Sequence, residues 1–518
     1  MNLYAIVLAI IVAVLLFVSL SQIRKVKTKA DYLVAGRTLP WYVLVFTLLS
    51  SWIGSGSLFG GAENAFHNGF SALWQSAGGW LGLLVIVFVA PRARKFAQYT
   101  IPDLLETRYN TAARVLGTIA ILFAFTAIAS YQFRGGSHVL RLIFPGLDEV
   151  ARTTFHIPAG HEAALGMIIV AIFVIIFTAF AGMSSVAYLD VVIGLLATVT
   201  CIAAVPLLLV KAGGWGQLHA SLPPEYFQWF GRFSIINGVD QGVWTGFVRA
   251  MELLVPTMLL LLGNQTMFQK FFSARTERDA KLSVLGWITG TFILETVIVA
   301  IAVIGTALYM RVPNIEPSEI IPYTARNGLP SLLGAVLMGA VFAKVISTAN
   351  NYLFSPATNL VNDVYARFIN KNASDKQILL VSRLIVIGLG IFALLQLTLF
   401  SSILQMALYA YTVYSAAITP VVMAAFFSKR ITAAAAVWSI ALGTGITVIW
   451  NLQQLALQNH HATFIPASWL ERDAIFPALA VSLLALAVVS LFTSAPRPEQ
   501  LAPFFAEEGA NEKAAVVK

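Results

Sequence analysis

The sequence predicts an all-α integral membrane protein of thirteen transmembrane helices built around a five-plus-five inverted repeat. Of 518 residues, 58% are hydrophobic and only 11% charged, and the mean hydropathy is +0.80, values that exclude a soluble globule. Thirteen apolar runs are long enough to cross a bilayer. Polar interruptions fall at matching places in two runs that lie five apart, and an odd number of spans per repeat forces the second half to be inverted.

The runs are a leading span at 3–22 and spans one to twelve at 41–66, 71–91, 113–143, 163–181, 185–210, 250–268, 282–309, 331–360, 378–400, 402–427, 431–452 and 474–493. Residues 1–30 read as the leading helix with a basic linker, and 31–430 as the repeat core, with halves at about 41–210 and 250–430. Residues 431–493 add two spans, and 494–518, with three prolines and mixed charge, read as a disordered cytoplasmic tail.

No basic segment precedes the first run, whereas Arg24-Lys25-Val26-Lys27-Thr28-Lys29 follows it, the pattern of an uncleaved span with its N-terminus outside. The inner segments are then 23–40, 91–114, 269–281, 366–383, 428–430 and the tail, with a short turn near Gly182. They hold twenty-three of the 33 Lys and Arg residues, which satisfies the positive-inside rule and accounts for the net charge of +9 without a nucleic-acid partner. The expected location is the plasma or inner membrane, with the C-terminus cytoplasmic. The single cysteine, Cys201, excludes an internal disulfide and reads as a small core residue. The outer loops 211–249 and 311–330 are long enough to serve as lids on the membrane surface or as packed loops. His460 and His461 have no further ligand types at metal spacing, and no metal beyond a possible Na⁺ is expected.

Span one contains Ser50-Ser51-Trp52-Ile53-Gly54-Ser55-Gly56-Ser57-Leu58-Phe59-Gly60-Gly61, poor helix that suits either a broken span whose backbone turns to a cavity or close small-residue packing. Span six ends Gly263-Asn264-Gln265-Thr266-Met267-Phe268-Gln269-Lys270, a second polar interruption. In span eight, Lys344, Ser347, Thr348, Asn351 and Ser355 share one helical face. Lys344 lies roughly 20 Å beyond Pro330, near the middle of a bilayer about 30 Å thick. An ammonium there costs roughly 3 kcal/mol even on the forgiving insertion scale, so the stripe faces protein or a wet cavity.

Glu63, Arg134, Asp190, Glu252, Glu295 and Lys344 are ionisable residues inside spans and hence functional candidates. Glu63 and Arg134 either neutralise one another or leave Arg134 for a solute, and Glu252 reads as interfacial. No span carries a histidine cluster, paired catalytic carboxylates or a nucleophile with its base, and His138 stands alone in span three, so no enzyme is expected. About 25 residues follow span twelve, too few for a signalling domain.

Asp31-Tyr32-Leu33-Val34-Ala35-Gly36-Arg37, Thr100-Ile101-Pro102-Asp103-Leu104-Leu105-Glu106-Thr107-Arg108-Tyr109-Asn110, Ala187-Tyr188-Leu189-Asp190, Gly263-Asn264-Gln265 with Gln269-Lys270, and Ser347-Thr348 to Asp363-Val364-Tyr365 follow in order on this topology. Together they resemble the sodium:solute symporter family over about residues 30–430, which implies a LeuT-type fold. The resemblance implies a Na⁺ site between spans one and eight, made by carbonyls at Ser51 and Gly54, the carbonyl of Lys344 and the hydroxyls of Ser347 and Thr348. It places Asp190 on the inward ion path or in a second Na⁺ site, where Asn350 and Asn351 stand in place of serine. The solute pocket it implies maps onto Leu58, Trp74, Gln75, Arg134, Asn264, Gln265 and the Tyr409, Tyr411, Tyr414 face of span ten.

Lys344 departs from the family, whose Na⁺-binding members carry a small residue there. Its ammonium can sit where the ion would, and two unit charges about 4 Å apart repel by about 4 kcal/mol at an effective dielectric near 20. Three outcomes follow. A desolvated lysine cycles a proton; a permanent pair with Asp190 gives an uncoupled facilitator or a solute sensor; a side chain turned away leaves Na⁺ coupling intact. The expected function is import of a small polar solute by alternating access, with a carboxylate-bearing one suggested by Arg134. Coupling to H⁺ or none is favoured over ordinary Na⁺ symport or sensing. No cofactor is expected beyond the coupling ion, and a monomer is expected to suffice.

Overall fold

The computed structural model describes residues 2–23, 28–96, 100–180, 183–236, 238–313, 315–400 and 402–505. The basic stretch at 24–27, the turn near Gly182 and residues 506–518 of the tail lie outside the described residues.

Helices fall on the apolar runs. The leading span is Leu3–Ile23 and span one is Trp41–Trp52 followed, after a break, by a π-helical turn Gly56–Gly60 and Gly61–Asn68. Spans two to five are Leu73–Phe96, Thr111–Ile143, Ala163–Phe180 and Met183–Lys211. Span six is Val243–Gly263 and Gln265–Ser273, span seven Glu277–Tyr309, and span eight Ser331–Asn359 running into a π-helical end at Leu360–Ile369. Asp375–Gln396, Ile403–Ala417 with Thr419–Phe427, Ala433–Gln458 and Ile475–Phe492 are spans nine to twelve. Among the described residues eleven helices are long and apolar enough to cross a membrane, with two shorter apolar ones at Leu3–Val18 and Trp41–Trp52. Eleven long helices stand against the thirteen spans expected from sequence, because the leading run and the first half of span one form helices too short to be counted. In this reckoning the second half of span one continues into span two as one stretch, Gly56–Lys95.

The packing repeats with a shift of five. Span one lies against span seven as span six lies against span two, and spans one and five touch as spans six and ten do. Span eight packs on span five as span three packs on span ten, while spans three, four, eight and nine form one mutually packed set. This is the inverted repeat, with spans one, two, six and seven as the other set. The two breaks correspond: Ile53 (φ −86°, ψ 99°) and Asn264 (φ −62°, ψ 114°) are both extended residues between helices. Spans eight and ten are the most enclosed and span nine among the least. The leading span leans on spans five and eight, and spans eleven and twelve pair against span ten.

At the end of the bundle bearing Arg94, Arg108 and Arg275, here the basic end, helix Ile101–Arg108 is tied to span three by Arg114, which pairs with Asp103 and with Glu106 at 2.6 Å. Residues 498–505 were expected to be disordered; they form a helix against 101–108, with Gln500 Nε2 donating to the Tyr109 carbonyl at 2.7 Å. At the opposite, lid end both long loops are packed. Tyr226 is buried and its hydroxyl donates to the Phe66 carbonyl at 2.8 Å. Residues 317–328 cover the second half of span one, where Glu319 meets His138 Nδ1 at 2.6 Å.

Span two crosses span six so closely that a Cβ on Gly78 would lie 2.2 Å from the Leu254 carbonyl oxygen. Gly78→Leu is therefore expected to force the spans apart, destabilising the protein by at least about 1–3 kcal/mol. A lowered melting temperature in detergent checks it, and an unchanged one would remove this crossing as a constraint.

Candidate functional site

The break in span one presents different residues to two sides. Toward spans five, six and eight it offers Ser50, Ser51 and the Ile53 carbonyl. Lys344 Nζ, fully buried, donates to Ser50 Oγ at 3.3 Å, and Ser347 Oγ lies 3.2 Å from the same hydroxyl. Ser347 also donates to Asp190, whose other carboxylate oxygen accepts from Thr47 Oγ1 at 2.6 Å. Thr348 Oγ1 lies 3.0 Å from the Ser50 carbonyl, 3.4 Å from that of Ile53 and 2.9 Å from that of Lys344. Lys344, Asp190, Ser347 and Thr348 are thus brought together as one cluster. Among the described residues no ion pair joins Lys344 to Asp190; hydroxyls hold the carboxylate instead.

Two details differ from the sequence reading. The carbonyls that approach Thr348 are those of Ser50 and Ile53, one residue before Ser51 and Gly54, while the Gly54 carbonyl accepts from Leu58 N at 2.9 Å. Ser51 Oγ instead accepts from Lys270 Nζ, which also donates to Asn351 Oδ1 at 2.7 Å. Lys270 had been counted with the inner loop. The segment Gln265–Ser273 is buried throughout, and Lys270 is 0% exposed. Its place beside the Asn264-Gln265 interruption and the Gln269-Lys270 pair in the family resemblance were the signals for it.

Toward span seven the same break offers Trp52. Its Nε1 donates to Glu295 Oε1 at 2.7 Å, and its ring stacks on Tyr411 with centroids 6.3 Å apart. Trp52, Ser57, Gln75, Thr257, Glu295 and Tyr411 line a cavity of about 20 Å³, room for about one water. Of the expected solute residues, Gln75 and Tyr411 therefore reach it. Leu58 lies in a separate small cavity beside Lys344 and Cys201. Trp74 stands at the lid end, donating to the Trp229 carbonyl at 2.7 Å. Asn264 Nδ2 donates to Tyr352 at 3.0 Å, and Gln265 Oε1 accepts from Ile101 N at the basic end. Arg134 is elsewhere too: its Nη2 donates to the Leu397 and Phe400 carbonyls at 3.0 and 2.8 Å, and no ion pair joins it to Glu63. Tyr414 caps the break in span six, donating to the Gly263 carbonyl at 2.7 Å.

One turn toward the lid end along spans one, six and ten, Asn64, Leu253 and Leu408 help line a wider cavity of about 490 Å³. Its rim carries Arg232, Arg472 and Asp473 from the loops, a polar approach to the smaller chamber.

These features are those of a transporter with its site at a broken midplane. A profile of the sodium:solute symporter family matches residues 32–443. The chain belongs to this family. The high-affinity proline transporter PutP of Bacillus subtilis (strain 168) is 24% identical over 91% of this chain and 94% of the relative. A sodium/proline symporter of Staphylococcus aureus is 23% identical over 95% and 93%. Among solved structures, the substrate-bound outward-open state of a Na⁺-coupled sialic acid symporter superposes with a TM-score of 0.75 at 16% identity, covering 96% of this chain and 99% of that one. The nucleobase-cation-symport-1 transporter Mhp1 does so at 0.53 and 13%, over 92% and 99%. Both share the fold of this symporter-family chain.

Two predictions follow from the geometry. A Cβ on Gly54 would lie 2.5 Å from Thr348 Oγ1 and 2.7 Å from Thr348 Cγ2. The Thr348 Cβ would be 2.7 Å away as well, so Gly54→Ala is expected to push span eight from the break and abolish activity; full activity in Gly54→Ala would show that the two spans need not touch here. At the lid-end cavity, burial, with Glu252 beside it, pushes the Asp473 carboxyl up to about 7. The folded protein then holds a proton that the unfolded chain has lost, so this contribution to stability is full below the ordinary aspartate range and declines as pH rises toward about 7. Asp473→Asn is expected to flatten the fall of melting temperature between about pH 4 and pH 7; an unaltered slope would contradict it.

Proposed function

We propose that this symporter-family protein is a secondary transporter that imports a small polar solute by alternating access, with the Lys344 ammonium standing in for the family's Na⁺. Coupling is then to H⁺ or absent. The observation that carries the reading is the position of Lys344 Nζ, 3.3 Å from the hydroxyl of Ser50 and on the same cluster as Ser347 and Thr348. A second cation a few ångströms away is repelled by several kcal/mol at an effective dielectric of about 20. Relatives named for proline and a neighbour named for sialic acid support a small polar solute. Arg134, from which a carboxylate was suggested, lines neither cavity; its Nη2 is engaged with two backbone carbonyls, while its buried Nη1 has no hydrogen-bond partner. The charge bias of the loops supports an N-terminus outside and a cytoplasmic C-terminus in the plasma membrane.

Ordinary Na⁺ symport is the second reading. It is favoured by the oxygen donors gathered at Thr348 and Asp190, which suit a hard cation, and by the Na⁺-coupled relatives. Solute uptake by proteoliposomes, measured with and without Na⁺ at several external pH values, separates the two; absence of uptake would leave a solute sensor. Under the proposal the wild type ignores Na⁺, and Lys344→Ala acquires Na⁺ dependence while losing any dependence on pH. Na⁺-dependent uptake by the wild type would overturn it.

A further inference from the structure

The chamber beneath the lid-end vestibule carries a buried carboxylate oxygen without a partner. Glu295 is 4% exposed, and its Oε1 is taken by Trp52 while Oε2 has no hydrogen-bond partner. The Ser76 hydroxyl and the Trp80 indole are weak donors toward this carboxylate, short of full hydrogen-bond geometry, and leave Oε2 under-satisfied. Gln75 Oε1, also buried, is a second unpartnered oxygen in the same wall. No Lys, Arg or His lines the chamber, and the two lysines of the cation cluster lie across the break, engaged with Ser50, Ser51 and Asn351. A buried carboxylate oxygen left unsatisfied is costly, and a ligand that donates to it recovers that cost.

We infer that the solute carries an ammonium group and that Glu295 Oε2, with the Gln75 amide and the stacked Trp52–Tyr411 pair, is the subsite that binds it. This rests on the transport reading of the chamber and adds the solute's chemical class. The aromatic faces decide between an organic ammonium and a metal ion. Trp52 and Tyr411 offer π surface, which stabilises a desolvated alkylammonium, and Ile298 and Val299 offer apolar wall for its carbon frame. Na⁺ gains little from either. The chamber of about 20 Å³ holds a single water as it stands, so a solute enters by parting spans one, six and ten toward the vestibule lined by Asn64, Leu253 and Leu408.

Glu295→Gln is nearly isosteric and leaves an amide oxygen for Trp52, so it removes the charge with little change in packing. The test uses the full chain in nanodiscs and two matched sets of probes: L-proline, pyrrolidinium and cyclopentanecarboxylate, then L-alanine, ethylammonium and propionate, with NaCl alone as a further probe. Calorimetric binding is expected for members bearing an ammonium and not for the two carboxylates. Glu295→Gln is expected to weaken it by about tenfold or more, Gln75→Leu by less, and Glu295→Asp, which keeps the charge, to retain part of it. Carboxylates binding as well as amines, amine binding unchanged in Glu295→Gln, no amine binding at all, or Na⁺ alone binding in a Glu295-dependent way would each overturn the inference. Uptake of the same probes by proteoliposomes keeps it distinct from the transport reading. Glu295-dependent amine binding without any uptake supports this subsite and removes transport, whereas uptake of non-amine solutes indifferent to Glu295→Gln supports transport and removes the subsite.

Discussion

Two lysine ammonium groups and one aspartate carboxylate, all fully buried, meet where spans one, five, six and eight cross. An ion withdrawn from water must be resolvated by protein, and here that work falls to the hydroxyls of Thr47, Ser50, Ser51 and Ser347 and the amide of Asn351. All five come from spans one and eight. The crossing of those two helices is therefore set by charge as much as by apolar packing. The cluster also explains the close approach at Gly54, since any side chain there would separate Thr348 from the carbonyls it reaches.

The break in span one joins this cluster to the Glu295 chamber within two residues. Ser51 solvates Lys270, and Trp52, the next residue, holds Glu295. A rearrangement that moves span one to open this chamber toward the vestibule must move Trp52, and with it the residues whose hydroxyls solvate the lysines. The cation cluster and the Glu295 chamber are thus connected by a short physical path through one interrupted helix, and the inverted repeat supplies a second interruption at Asn264, where Tyr414 caps the freed Gly263 carbonyl.

Much of this was legible in sequence because the bilayer imposes a strong code. Span positions, the two breaks and the Lys344-Ser347-Thr348 stripe all follow from hydropathy, glycine content and helical spacing. What was not legible depended on long-range partners. Lys270 sits at the end of an apolar run, where a lysine ordinarily reaches water, and only the fold turns it inward against residues 219 and 81 positions away. Arg134 was identified as a buried guanidinium, but which oxygens it meets, those of Leu397 and Phe400, is fixed by the loop between spans nine and ten. Glu295 was visible as an in-span acid, while its role depends on Trp52, 243 residues distant. The one-residue shift from Ser51 and Gly54 to Ser50 and Ile53 reflects how little spacing says about an unwound backbone.

The two buried lysines are not equivalent, and the difference bears on which of them alternating access can use. Lys270 has two oxygen partners on different spans, Ser51 and Asn351, which pin its ammonium between spans one and eight. Lys344 has a single partner, at the long distance of 3.3 Å, and its stem borders a small apolar cavity with Cys201, Leu294 and Leu337. An ammonium has three hydrogens to place. The better-held charge belongs to the framework, whereas the poorly held one can leave its post for little loss. Release of Ser50 by Lys344 breaks one long bond and leaves Asp190 held by Ser347 and Thr47, so Lys344 can move at less cost than Lys270 when span one moves.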